Sequence, residues 1–182
     1  FSKYSESLSV DSVKKLLKRG AMIFLVGLAL NAFPFYPTSP NPDLSFWENF
    51  VYRWEHVRII GVLQRIAMCY VLGGFLALWL KKAKKIIPAM AILMVVHWII
   101  LYLIGDKSAE LVNGAAGAFS LAGQNADLID LAIFGENHIY KGYGIAFDPE
   151  GLLGALSGAC TLLLGYLIGN LIRESKEKIN VV

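Results

Sequence analysis

Four long runs of apolar residues are the feature of this sequence that most restricts its fold. They cover about residues 16–33, 59–80, 86–104 and 151–172. A helix rises 1.5 Å per residue, so about 20 residues cross the hydrocarbon core of a bilayer. The runs lack the alternation of a barrel strand, and lipid offers no partner to unpaired backbone groups, which favours helix. The sequence therefore predicts an all-α, polytopic membrane protein with four transmembrane helices.

The composition excludes two other classes of protein. Hydrophobic residues make up 56% of the 182 residues and charged residues 17%, against roughly 45–50% and 25% in a soluble domain. A chain this apolar does not stay disordered in water. The two cysteines, Cys69 and Cys160, both lie inside apolar runs, which argues against a disulfide scaffold. The histidines, at positions 56, 97 and 138, are scattered and predict no metal site.

The distribution of charge predicts the orientation in the membrane. Twelve of the 17 Lys and Arg residues flank the chain termini or fill the short link between the second and third spans. The two longer loops, residues 34–58 and 105–150, carry ten of the 14 acidic residues. Because cytoplasmic loops are rich in Lys and Arg, both termini are predicted to be cytoplasmic and both long loops to face outward. Topology thus accounts for the net charge of +3, and no nucleic-acid partner is expected.

The two outer loops differ in character. Residues 34–57 are first rich in proline and then in aromatic and acidic residues, which indicates an extended connector that ends at the membrane interface. The second loop is long for a structureless connection. Residues 125–134 within it, NADLIDLAIF, predict a short helix that lies on the membrane or covers a cavity.

Asp148, Pro149 and Glu150 precede the fourth run. Aspartate at the N-cap, proline at the first helical position and glutamate in the first turn are what a helix start selects. The pattern predicts that the fourth helix begins here, and one of the carboxylates could also face a site at the membrane surface.

His138 lies beside Asn137 in the second outer loop. A histidine there is either simply exposed or a general base, provided that Glu136 or Asp148 orients its ring.

Gln64 and Arg65 are polar residues inside the second run. Counted from Ile59, they lie roughly 9 Å from its outer end, and an arginine at the centre of a span costs about 2.5–3.5 kcal/mol. Arg65 shares one helical stripe with three other residues, because seven positions return almost to the same face. The stripe consists of Arg58, Gly61, Arg65 and Cys69. Two arginines on it predict either an anion site, such as one for phosphate, or internal ion pairs. The candidate partners are Asp130, Asp148 and Glu150.

The third and fourth runs each carry one further feature. His97 lies near the middle of the third run and is predicted either to hydrogen-bond a neighbouring helix or to relay protons. In the fourth run Gly154 and Gly158, and then Gly165 and Gly169, form a seam of small residues that predicts close helix packing.

Three motifs carry a family resemblance. Residues 58–67, RIIGVLQRIA, resemble the R-I-x-G-V-L-Q-R-I-A signature of the heparan-alpha-glucosaminide N-acetyltransferase family and its bacterial relatives. Residues 147–154, FDPEGLLG, are similar to the family's D-P-E-G-[IL]-L motif. Residues 128–140 are similar to its I-D-R…G-x-x-H-L-Y segment, with Leu131 in place of the usual arginine. The resemblance extends from about residue 13 to residue 169.

The resemblance implies an enzyme that moves acetyl from cytoplasmic acetyl-CoA to the amino group of an amino sugar on the outer side. Bacterial members are thought to act on periplasmic or cell-wall sugars, which implies the bacterial inner membrane. Members have ten or more spans, so residues 1–182 are expected to be part of a single transmembrane acyltransferase domain within a larger bundle. The family's main catalytic histidine lies in an early outer loop that this sequence is expected to lack.

The resemblance also suggests roles for individual residues. Gln64 and Arg65 would line a polar path for the pantetheine arm or donate to the oxyanion. Sugar-binding or supporting roles are expected for residues of the outer loops, with His138 as the candidate base. These residues are Arg58, Asn137, His138, Asp148 and Glu150.

The expected donor is acetyl-CoA, without a metal, and the expected partners are the amino sugar and membrane lipid. Whether copies of the chain form a homo-oligomer is left open. Two other functions compete with the acetyltransferase: a transporter whose substrate path is lined by Arg65 and His97, and a non-catalytic helical scaffold.

Overall fold

The structure is a computed structural model and describes residues 8–110, 116–120, 123–140 and 148–179, with side chains up to residue 175. Within these ranges the chain is all-helical, as predicted, and contains no strand. The helices are α1 (Val10–Ala32), α2 (Phe46–Glu55), α3 (Val62–Leu80), α4 (Ala83–Ile104), α5 (Asp127–Phe134) and α6 (Gly154–Ile179). Single 3₁₀ turns occur at Gly117–Phe119 and Glu136–His138.

Three of the described helices are long and apolar enough to cross a membrane: α3, α4 and residues Gly154–Ser175 of α6. The first predicted span is helical as part of α1. Its N-terminal half carries Lys14, Lys15, Lys18 and Arg19, which lower its hydropathy. A crossing by α1, and with it the count of four spans, stays a prediction.

The long helices form a bundle with two distinct ends. Gly27 of α1 lies against Leu63 of α3, and Gly20 lies against Val71, so α1 and α3 are antiparallel. The contacts of α6 with α3 advance in the same direction along both helices, which makes that pair parallel. α4 runs antiparallel to α6. As a result α1 and α4 end where α3 and α6 begin; we call this the loop end, and the opposite end, with residues 81–85, the lysine end.

Glycine lets α3 and α6 approach closely. A Cβ added at Gly158 would overlap the Cys69 sulfur, and one added at Gly73 would lie 2.8 Å from a methyl group of Leu162. The predicted seam is therefore used at its first pair of glycines. It is wrong for the second pair within the described chain, because an added Cβ at Gly165 or Gly169 meets nothing within 4 Å.

This difference gives a matched pair of variants. Gly158→Leu is expected to lower the free energy of unfolding by about 1–3 kcal/mol, because the new side chain forces α3 and α6 apart. Gly165→Leu, four residues before Gly169 on an open surface, is expected to change it by less than about 0.5 kcal/mol. Unfolding of the purified protein in mixed micelles measures both. Equal losses would contradict the packing described here.

The first long loop, residues 34–58, is not only the extended connector that its composition predicted, because it contains α2. The Ser45 hydroxyl accepts from the backbone N–H of Glu48, and the Glu48 carboxylate accepts from the N–H of Ser45 at 2.7 Å, which forms a capping box. Arg53 donates to the last carbonyls of α1, residues 31–33, at 3.3–3.4 Å. These bonds fix α2 beside the C-terminal end of α1, where cations are favoured. Its aromatic residues Phe46 and Trp47 stay exposed.

Two helix starts differ from the sequence predictions. α3 begins at Val62, so residues 57–61 are not helical and Arg58 does not lie on a helical stripe with Arg65. α6 begins at Gly154, and Pro149 is therefore not its first residue. Residues 148–153 instead form consecutive turns, closed by bonds from the N–H of Gly151 to the carbonyl of Asp148 and from Gly154 to Gly151. We call this segment the entry turn.

Candidate functional site

Asp148 is the centre of the polar structure at the loop end. Its side chain is fully buried and accepts four hydrogen bonds. Oδ1 accepts from Arg58 Nη2 at 2.6 Å and from the N–H of Glu150 at 2.9 Å. Oδ2 accepts from Arg58 Nε at 3.0 Å and from the N–H of Tyr140 at 3.3 Å. Asp148 thus binds a backbone N–H of its own turn, but it is not the N-cap of the fourth helix that was predicted, because α6 begins at Gly154. It is also half of a bidentate ion pair.

Both the backbone carbonyl and the guanidinium of Arg58 have partners besides Asp148. Its guanidinium lies 4.7 Å from the centre of the Tyr140 ring, within the range of a cation–π interaction. Its carbonyl accepts from the Asn31 amide at 3.0 Å, which ties it to the last turn of α1. The side chain is 27% exposed, so the pair with Asp148 has one buried and one partly accessible member.

Arg65 forms the second ion pair. Its Nη1 donates to Glu150 Oε2 at 3.1 Å and to the carbonyl of Pro149 at 3.4 Å. Both side chains keep access to solvent, at 34% and 20% exposure. Of the two alternatives for the arginines, the structure shows internal pairing for both.

Arg65 also lies shallower in its helix than the sequence predicted. Because α3 begins at Val62, Arg65 is only three residues, or about 4.5 Å, inside it. This shallow position and the Glu150 carboxylate together lower the energetic cost of placing the Arg65 charge in the helix.

His138 connects the second long loop, residues 105–150, to the segment that carries Arg58. Its Nδ1 donates to the carbonyl of Val57 at 2.7 Å, and its own carbonyl accepts from the N–H of Ile59 at 2.9 Å. With Nδ1 as the donor, Nε2 is the ring atom that could accept a proton. Asn137 is exposed in the same 3₁₀ turn. Residues 141–147 of this loop lie outside the described ranges.

Gln64 is buried away from the ion pairs, at the contact of α3 with α1. It is 1% exposed, and its Oε1 lies 2.7 Å from the position of a Cβ added at Gly27. Its Nε2 is buried and has no hydrogen-bond partner within the described part of the chain. A buried unpaired donor costs about 1–3 kcal/mol, so a hydrogen-bond partner for this amide would stabilise the protein.

A cavity of about 120 Å³, lined by both polar and apolar residues, lies under the entry turn. Its polar lining consists of His97, Gln124, Asp130 and Asp148. His97 Nδ1 donates to the carbonyl of Leu153 at 3.1 Å, in agreement with the prediction of a hydrogen bond to a neighbouring segment. Asp130, on α5, is 2% exposed and accepts from the N–H of Leu152 at 2.9 Å. The predicted helix at 125–134 is confirmed as α5, and it closes this cavity.

Burial changes the pKa of the Asp130 carboxyl group. Desolvation raises the pKa of its carboxyl, the N–H of Leu152 lowers it, and the nearby carboxylates of Asp148 and Asp127 raise it further. The net direction is upward, which favours the protonated form.

A much larger groove between α1 and α3, about 730 Å³, is lined almost entirely by apolar side chains such as Leu17, Phe24 and Phe75. It offers no polar group for catalysis, and its lining suits hydrocarbon.

The three sequence motifs thus meet at the loop end. Arg58 and Arg65 of the first motif pair with Asp148 and Glu150 of the second, and His138 of the third lies beside the Arg58 segment.

The sequence is similar to human heparan-alpha-glucosaminide N-acetyltransferase. The identity is 25% over 160 aligned positions, which cover 69% of this chain and 24% of the human protein. The chain thus spans about a quarter of the length of this acetyltransferase. No family model matches the chain.

This similarity confirms the resemblance that the motifs indicated. Together with α3, α4 and α6, this similarity supports an integral membrane protein.

Sequence reasoning missed several residues of the site. Asn31 and Arg53 attach the Arg58 segment and α2 to the end of α1, and Tyr140 covers Arg58. Asn31 could have been found from the sequence, because it is a polar residue in the last turn of a helix whose C-terminal half is otherwise apolar. Nothing in local spacing indicated the partners of Tyr140 or Arg53.

Proposed function

We propose that this chain is part of a membrane acetyltransferase that transfers acetyl from cytoplasmic acetyl-CoA to the amino group of an amino sugar on the outer side. One observation carries the proposal: the two motifs shared with the acetyltransferase family meet in paired contacts, Arg58 with Asp148 and Arg65 with Glu150. Similarity to a protein named as an N-acetyltransferase supports the reaction class.

The chemistry assigns a task to each kind of group. The thioester C–S bond breaks and an amide C–N bond forms. Of the two protons that leave the sugar ammonium, one goes to the sulfur of CoA and the other to solvent. The thioester oxygen gains negative charge in the transition state, and a preorganised donor stabilises it. Arg65 is partly exposed beside Glu150, so its guanidinium can turn toward a ligand without leaving a fully buried charge behind.

In this proposal Gln64 lines the polar path for the pantetheine arm. Its Nε2 lies at the contact of α3 with α1, where a carbonyl of that arm could accept its hydrogen bond. Asp148 and Arg58 are bound to each other in a bidentate ion pair and do not act on substrate directly. Their role is to stabilise the conformation of the loop end. Asn137, which is exposed, and His138 are the groups through which the outer loop would contact the sugar. The acetyl donor, the amino-sugar acceptor, the cytoplasmic position of both termini and a bacterial inner membrane all belong to this proposal.

Labelled acetyl transfer tests the function. Inside-out membrane vesicles that contain the full-length protein receive acetyl-CoA labelled in the acetyl group in the external buffer, at the cytoplasmic face, and glucosamine in the lumen. The expected result is labelled N-acetylglucosamine, absent from membranes without the protein. A transporter would move the sugar or the donor and leave the amine unmodified, and a scaffold would do neither; either result would contradict the proposal.

A further inference from the structure

We propose that Asp130 is a positioning residue that locks the entry turn in the conformation in which Asp148 and Glu150 meet the two arginines. Its consequence for acetyl transfer rests on the proposed function, whereas its consequence for the conformation does not.

The contacts of Asp130 with the entry turn are direct. Oδ1 accepts from the N–H of Leu152 at 2.9 Å, which satisfies a backbone donor just before α6. The carboxyl group, 2% exposed, also covers Gly151. Asp130 thus touches two successive residues of the turn that carries Asp148 and Glu150.

Gly151 is matched to this carboxyl group. A Cβ added at position 151 would overlap Asp130 Oδ2 and lie 3.1 Å from the carbonyl oxygen of Asp148. The Asp130 side chain cannot simply turn away, because burial and the bond to Leu152 hold it. Glycine is therefore required at 151 for space. The aspartate of one family motif and the glycine of another form a single interlocking contact.

Titratable groups from three elements lie around Asp130. Asp127 lies on α5, Asp148 on the entry turn and His97 on α4 across the shared cavity. Arg58 neutralises Asp148 from the opposite side. A second ionised carboxylate beside Asp148 repels it, so the turn is held best when Asp130 carries a proton.

The direction of the pH effect follows. Burial raises the pKa of Asp130 in the folded protein above its value in the unfolded chain. Its contribution to stability is then complete below the unfolded pKa and is lost as the pH rises toward the folded pKa. Asp130→Asn keeps an acceptor for Leu152 and is neutral at every pH, so it is expected to abolish this loss.

A double-mutant cycle on the full-length protein tests the interlock without any assay of activity. Gly151→Ala alone is expected to lower the unfolding midpoint by several degrees. In an Asp130→Ala background, which removes the overlapping group, the same substitution is expected to cost less than half as much. An equal cost of Gly151→Ala in both backgrounds would overturn the inference.

Acetyl transfer then separates positioning from a general structural role. Asp130→Ala is expected to lower kcat roughly tenfold or more with little change in KM for acetyl-CoA, since a misplaced group slows chemistry more than binding. Asp130→Asn is expected to restore kcat to within about twofold and to flatten the pH profile on its alkaline side. Equal losses in the two variants would overturn the inference. If the unsubstituted protein transfers no acetyl while the double-mutant cycle shows coupling, the proposed function fails and the interlock stands.

Discussion

Replacing Arg58 with leucine is expected to destabilise the protein by about 3 kcal/mol or more. The substitution leaves the Asp148 carboxylate fully buried with only two backbone N–H groups as partners, those of Tyr140 and Glu150. An uncompensated buried charge costs several kcal/mol, far more than a surface pair contributes. The free energy of unfolding of the purified full-length protein, measured in mixed micelles, gives the loss.

Two control variants separate the charge from the packing. Asp148→Asn removes the charge and keeps one acceptor oxygen, which serves only one of the two N–H groups. It is still expected to cost less than Arg58→Leu, because Arg58 is 27% exposed and can be hydrated. The double variant Arg58→Leu/Asp148→Asn is expected to be more stable than Arg58→Leu alone. If it were less stable, the loss in Arg58→Leu would come from the missing contact with Tyr140 or from packing.

Arg65→Leu is expected to reduce acetyl transfer by about 100-fold or more, the effect of removing one donor to a developing oxyanion. The same substitution is expected to change the free energy of unfolding by less than about 1 kcal/mol, because the pair with Glu150 is partly exposed. Labelled acetyl transfer and unfolding are measured on the same preparation.

The other member of the pair provides the matched control. Glu150→Gln is expected to leave transfer far less affected than Arg65→Leu, because it retains the guanidinium. Arg65→Lys, which keeps the charge and loses the planar fork, is expected to fall between the two. If Arg65→Leu were lost from the membrane or unfolded instead, Arg65 would be a structural ion-pair member and not part of the reaction.

Sequence pattern predicted the elements whose cause is local. The apolar runs predicted α3, α4 and α6 because hydrocarbon requires helices of that length. The short helix α5 followed from the spacing of its aspartates and apolar residues, and the resemblance of the motifs led to the function that is proposed here. The errors arise where a residue distant in the chain intervenes. Asp148, Pro149 and Glu150 match a helix start in composition, but Asp148 is bound by Arg58, and the chain makes further turns before α6 begins at Gly154.

The sequence alone determined that this protein is helical and suited to a membrane, and that it carries polar motifs next to its apolar runs. These properties depend on residues that are close together in the chain. Only the tertiary structure decided which charges meet. Arg58 and Asp148 are 90 residues apart, and Arg65 and Glu150 are 85 apart. Several carboxylates were equally acceptable partners by charge. The close approach of α3 to α6 over glycine selected two of them and placed a third, Asp130, beneath the turn that holds them.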